Sequence, residues 1–182
     1  MSGYEQCKAC GLVMKADKKY EICPACGVPR SAFVEYRDSM SEQRRFWLEL
    51  HLHPITVHFP QALSTLMLVF LLAGLALPLD LSRTTTVFAA LLPLTALGAF
   101  ASGLFDARIR FKKLTTPFVK QKIILGAVFF ALTAAIAVLV FTCGLKGNAL
   151  YAIIAASVGA VACQAVLGII GIKLMFAKLP GK

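Results

Sequence analysis

The chain has 182 residues, a formal charge of +10, 58% hydrophobic residues and only 15% charged ones. Its mean hydropathy is +0.75. This balance excludes an ordinary soluble domain, in which the apolar share is about 45–50%.

Residues 1–37 are unlike the rest. They hold four of the six cysteines, in "CKAC" and "CPAC". Cys7 and Cys10 form one Cys-x-x-Cys pair and Cys23 and Cys26 the other, with twelve residues between them. Two short thiolate loops at this separation close a tetrahedral four-sulfur site. Gly11 and Gly27 follow the second cysteine of each pair and let backbone N–H groups turn toward the sulfurs. Four thiolates suit iron or zinc, and ligand type alone does not separate them. The stretch "CPACGVPRSAF" resembles the second metal knuckle of rubredoxins, through Pro24, Gly27, Pro29 and Phe33. The short spacer is similar to that of the rubredoxin domain of rubrerythrins. The resemblance covers residues 4–36 and implies one iron at Cys7, Cys10, Cys23 and Cys26, cycling between ferric and ferrous. Leu12, where that family commonly has an aromatic, keeps structural zinc as the alternative. Tyr4, Tyr20, Phe33 and Tyr36 are expected to form the core of this head. A head this small depends on metal–sulfur bonding for much of its folding free energy.

No signal-peptide pattern appears in residues 1–20, so the amino terminus is expected on the cytoplasmic side. Residues 38–52 form a linker. Ser39 and Glu42 fit a capping box, and Trp47 beside Arg44 and Arg45 reads as an interfacial anchor.

Residues 53–182 carry four apolar runs, at about 55–77, 85–105, 119–143 and 149–172, each near the roughly 20 residues that cross a bilayer as a helix. The expected fold class is therefore a small metal-ribbon, rubredoxin-like head plus an all-α four-helix transmembrane bundle. Arg108, Arg110, Lys112, Lys113, Lys120 and Lys122 crowd the connection between the second and third runs. Positive-inside bias then puts both termini and this connection in the cytoplasm, with the bundle in the inner membrane.

All three histidines, His51, His53 and His58, lie in "HLHPITVHFP". Pro54 predicts a helix start there, with His53 as cap and His58 one turn inside, facing the bundle. Pro60 removes the hydrogen bond to the Thr56 carbonyl and predicts a kink. "HPITVHFPQAL" resembles the first helix of a family of small four-helix bacterial membrane proteins. "GLFDA" (Gly103, Asp106) and "GIIGIKLMF" (Gly168, Gly171) are similar to its second and fourth helices. This resemblance spans about 53–176 and implies haem b bound through histidine. Candidate ligands are His53 and His58, with Met175, Lys122 or a histidine of a second copy in a homodimer completing the pair. The rival is a quinone pocket, in which His53, His58, Asp106, Lys122 and Lys173 share one depth and meet quinone oxygens, and the third reading is structural, with these groups capping the bundle through freed carbonyls and lipid headgroups.

Ala155, Gly159 and Cys163 are expected at a close helix contact, Gln164 in an interhelical hydrogen bond, and Cys143 and Cys163 as free thiols. No phosphate loop and no nucleophile–base arrangement is present. The expected function is an electron carrier rather than a stand-alone enzyme. Its partners are membrane lipid and a soluble redox protein, and no nucleic acid.

Overall fold

The computed structural model describes residues 3–16, 20–36 and 41–175. The chain divides into two compact units, one ending at Ser41 and the other beginning at Glu42.

The first unit is a three-stranded antiparallel sheet of β1 (Tyr4–Cys7), β2 (Val13–Lys15) and β3 (Phe33–Tyr36), in the order β2-β1-β3. β1 pairs Tyr4 with Lys15 on one side and with Tyr36 on the other. A short 3-10 turn at Arg30–Ala32 leads into β3. Arg30 donates to Glu5 at 2.6 Å, tying this turn to β1. Among the described residues of the head, Cys7 and Cys23 are the buried ones, at 0% and 1% exposure. The expected aromatic core is only partly formed: Tyr4, Phe33 and Tyr36 are half-buried, and Tyr20 is exposed. With so little apolar mass to bury, the cysteines themselves take the centre.

The second unit is helical: α1 (Glu42–Glu49), α2 (Leu52–Thr56), α3 (His58–Ala76), α4 (Ser82–Phe111), α5 (Pro117–Cys143) and α6 (Gly147–Met175). The starts and stops have local causes. The Asp80 carboxylate accepts from the Ser82 backbone N–H at 3.1 Å at the start of α4. Pro117 opens α5, where its missing N–H costs nothing. Lys112, in left-handed geometry at φ 60°, ends α4, and Gly144 at φ 72° ends α5. Ser39, the expected cap of α1, lies outside the described residues.

α2 begins one residue before His53, not at Pro54. His51, left-handed at φ 48°, precedes it, and His53 is a helical residue rather than the cap. The reason is that the first turn of a helix has orphan N–H groups, so Pro54 is tolerated in that turn as well as at its first position. Where the kink is expected, α2 and α3 are separated by Val57 alone, a residue in right-handed geometry at φ −67° and ψ −23°. Pro60 offers no N–H to the Thr56 carbonyl, and the next bond, Gln61 N–H to the Val57 carbonyl, is long at 3.3 Å.

Short connections make α3, α4, α5 and α6 neighbours in turn, and α6 returns to pack on α3. Met67 and Leu71, Ala89 and Leu92, Ile136 and Val140, and Ile153 meet in the main core. Outward-facing positions are also apolar, among them Leu66, Val69, Leu72, Leu94, Ile124, Val138, Phe141 and Ile169. Four helical stretches are long and apolar enough to cross a membrane: Glu42–Ala76, Ser82–Phe111, Pro117–Cys143 and Gly147–Leu174.

The expected contact on α6 is met in part: Ala155 is exposed, whereas Gly159 stands against Leu132 of α5, a Cβ there lying 3.6 Å from its Cδ1, and Cys163 packs on the core; the most buried stripe is Ile153, Ser157, Ala160 and Gln164. Gln164 makes an interhelical bond, its amide oxygen accepting from the Ser64 hydroxyl at 2.7 Å. Cys143 and Cys163 are free thiols.

Candidate metal centre and bundle mouth

The two Cys-x-x-Cys loops of the head are near-copies of each other. Gly11 N–H donates to the Cys7 carbonyl at 2.8 Å, and Gly27 N–H to the Cys23 carbonyl at 2.9 Å. Both glycines adopt positive φ, 79° and 75°, which a side chain would strain. Cys7 N–H donates to the Leu12 carbonyl and Cys23 N–H to the Val28 carbonyl, so each loop closes as a tight knuckle. Further N–H groups point at sulfur: Leu12 at Cys10, Val28 at Cys26, and Ala25 and Cys26 at Cys23. The Lys8 N–H donates to the Ala32 carbonyl at 2.9 Å, joining the first knuckle to the turn before β3.

The knuckles bring the Sγ atoms of Cys7, Cys10, Cys23 and Cys26 within 4.8 Å of one another. Cys7 lies 3.8 Å from Cys26, and Cys10 lies 3.7 Å from Cys23. A tetrahedron with metal–sulfur bonds of about 2.3 Å has edges of about 3.8 Å, so the donor set fits a single tetrahedral ion. Two ligands are buried and two, Cys10 and Cys26, are exposed.

Crowding sets the four thiols against one another. Desolvation pushes Cys23 up, but the N–H groups of Ala25 and Cys26 and the neighbouring thiols outweigh it, and Cys23 falls to about 7. The Val28 N–H pulls Cys26 down, yet desolvation and the Cys10, Cys23 and Cys7 sulfurs together push it up to about 12. Cys10 is also raised, the Leu12 N–H being outweighed by desolvation and by Cys7 and Cys23.

The histidine stretch divides differently from expectation. His58 is exposed and does not face the bundle interior. His58 is five residues beyond His53, about 140° further round a helix of 3.6 residues per turn, so the two do not share a face. His51 is exposed, its Nδ1 2.6 Å from the Glu49 carbonyl. His53 is the imidazole that enters the bundle. Its ring sits on α4 at Gly103, where a Cβ would lie 2.9 Å from Cε1. Its Nδ1 is 3.3 Å from the Ser102 hydroxyl, and its Nε2 is 3.4 Å from the Lys122 ammonium on α5. An ammonium only donates, so Nε2 is the acceptor and Nδ1 carries the proton. Thr56 and Ser102 hydroxyls are 2.6 Å apart, and Ser102 also donates to the Ala99 carbonyl at 2.9 Å.

Asp106, one turn beyond Ser102, pairs with Arg110 at 3.3 Å. Lys173 lies 5.9 Å from the Phe118 ring centroid rather than beside His53. Met175 ends α6, and its side chain lies outside what the structure describes. Of the expected mouth residues, the structure thus joins His53 to Lys122, with Asp106 nearby. Ser102 and Thr56 are additions that no local pattern marks; only the long-range packing of α2 on α4 reveals them.

The linker helix is part of the helical unit. Arg44 on α1 donates to the Ile109 and Arg110 carbonyls at 2.8 and 2.7 Å, satisfying the end of α4. Trp47 stands edge-on to Phe105, with centroids 5.4 Å apart.

The family model described as "Rubrerythrin, rubredoxin-like domain" matches residues 6–34. No curated protein and no solved structure matches the chain. The helical unit lies outside the matched residues. Residues 6–34, with their four gathered cysteines, are a rubrerythrin-type rubredoxin-like domain.

Proposed function

We propose that the chain is a membrane-anchored, rubredoxin-like electron carrier. It passes electrons between a soluble cytoplasmic redox protein and a redox ligand of the bundle. The observation that carries this reading is the four-sulfur cluster within 4.8 Å, built by two matching knuckles in a rubrerythrin-type domain. Cys7, Cys10, Cys23 and Cys26 would hold one iron ion, which supplies a one-electron ferric–ferrous couple. The protein's own contribution is rigidity and tuning. The knuckles hold the four sulfurs in place through either oxidation state, and the N–H groups of Leu12, Ala25, Cys26 and Val28 stabilise thiolate charge. Cys10 and Cys26 bring the ligand set to the surface, where a soluble partner reaches it. Zinc in the same sulfurs would give a structural head, the alternative class.

Membrane insertion is supported by the four long apolar helices and by their apolar outward faces. The cations at 108–122, beside the end of α4 and the start of α5, support cytoplasmic placement of that end. For the ligand in the bundle, the geometry favours quinone over haem b. Both ring nitrogens of His53 are engaged, by Ser102 and Lys122, and His58 is exposed. An organic ligand needs hydrogen-bond donors of this kind, whereas iron needs a ring nitrogen free of them.

The test is Cys23→Ser in the full chain. The variant is expected to lose iron and the visible ferric–thiolate absorption while the helical content stays. Full iron and an unchanged spectrum in Cys23→Ser protein would overturn the four-cysteine assignment.

A further inference from the structure

Four helices meet around one ammonium. Lys122 comes from α5, the His53 ring it touches from α2, and the ring's floor, Gly103, from α4. On the remaining side stands Gly171 of α6, where a Cβ would lie 3.8 Å from Nζ. One turn back on α6, Gly168 is exposed, and a Cβ added there would meet nothing within 4 Å. α6 therefore presents bare backbone beside Lys122, open to the outer, apolar surface of the bundle.

The hydrogen-bond arithmetic leaves donors to spare. An ammonium has three N–H groups. Among the described residues, the one hydrogen-bond partner of Lys122 is His53 Nε2. Asp106, the nearest acid, is held by Arg110. Two ammonium hydrogens of the half-buried Lys122 thus have no acceptor among the described residues. Leaving such donors unused costs free energy that a ligand acceptor recovers.

The chemistry of that acceptor follows from the charges. Lys122, Arg110 and Asp106 sum to a single positive charge around a neutral imidazole. This suits a neutral oxygen with partial negative charge, in a flat molecule that slides past glycine from the lipid side. Phosphate headgroups find denser cations in Arg108, Lys112 and Lys113, at and beyond the end of α4.

The geometry points to Lys122, oriented by His53, as the donor that binds a carbonyl oxygen of a lipid-soluble quinone, with Gly171 and Gly168 of α6 leaving room for the ring. This rests on the quinone reading given above and locates its site. His53 is a positioning residue: its Nε2 holds the ammonium and its Nδ1–H is braced by Ser102.

The chain has one tryptophan, Trp47, in contact with Phe105 on the same stretch of α4 as Gly103 and Asp106. Quinones quench indole emission, so Trp47 reports occupancy. The full chain in phosphatidylcholine nanodiscs is titrated with a short-tailed benzoquinone, following Trp47 fluorescence. Saturable quenching is expected. Lys122→Met should weaken it about tenfold or more, the loss expected of a charge-assisted hydrogen bond. Lys122→Arg should largely restore it, and Lys120→Met, an exposed neighbour, should leave it unchanged. Phosphatidylglycerol discs should give the same affinity. Binding in Lys122→Met equal to the unaltered chain overturns this site while the quinone reading stands. Non-saturable quenching in the unaltered chain overturns both. Loss of quinone binding in phosphatidylglycerol discs assigns the ammonium to lipid phosphate and overturns the proposal.

Discussion

The imidazole of His53 rests directly on Gly103: a Cβ on that glycine would stand 2.9 Å from ring Cε1 and 3.1 Å from Nδ1. Only the absent side chain lets the ring reach Lys122 on the far side. Gly103→Ala should push the ring off and cost about 1–3 kcal/mol through overpacking. The expected result is a lowered unfolding midpoint in detergent together with weakened quinone quenching of Trp47. A midpoint and quenching both unchanged would mean the ring is not seated there.

Arg44 ties the linker helix to the end of α4 by two charge-assisted hydrogen bonds, to the Ile109 and Arg110 carbonyls. Arg44→Ala should free α1. Amide exchange in residues 45–49 should quicken at least tenfold, given about 1.5–3 kcal/mol for hydrogen bonds to charged groups. Exchange in α5 should not change, and a uniform rise across the bundle would refute a local role.

Ser64 and Gln164 are both buried, and the Gln164 Nε2 has no hydrogen-bond partner. Ser64→Ala should therefore destabilise the bundle by about 1 kcal/mol, since it leaves a polar amide with less than before. Gln164→Leu should be near neutral, because it removes the poorly satisfied group itself. Reversal of that order in unfolding measurements would contradict the assignment.

Stripping the metal with a chelator exposes the competition among the thiols. The sign follows from each shift. Cys23, lowered from 9.0 to about 7, contributes stability above pH 9 that is lost as pH falls through 7. Cys26, raised from 9.0 to about 12, contributes stability below pH 9 that is lost as pH rises toward 12. The stripped head should thus gain stability as pH rises from about 7, be most stable near pH 9, and lose stability above it. Thiolate absorbance should show the Cys23 ionisation near pH 7, well below that of Cys26. A Cys23 ionisation left at its ordinary value would show that the sulfurs are apart.

Much of this was legible in the residues. Cys-x-x-Cys spacing marks the four ligands because a knuckle is a local structure, closed by the glycine that directly follows the second cysteine. The long helices follow from uninterrupted apolar runs. What escaped was phase. His53 and His58 are five residues apart, about 140° round a helix, so they cannot share the inner face, and the packing of α2 on α4 decides which of them enters. The most buried stripe of α6 likewise runs through Ile153, Ser157, Ala160 and Gln164, with the Ser157 hydroxyl turned onto the Ile153 carbonyl of its own helix and Gln164 meeting Ser64 of α3. Arg44 on the α4 carbonyls and Ser102 under His53 are tertiary contacts between residues 49–66 apart in sequence, with no local signature.

The central claim, a four-thiolate iron that carries one electron, is tested most directly by metal analysis with a spectroelectrochemical titration of the purified full chain. One iron per chain is expected, with a red ferric–thiolate absorption that bleaches reversibly in a single one-electron wave. A colourless protein holding one zinc per chain, after expression with ample iron, would contradict it.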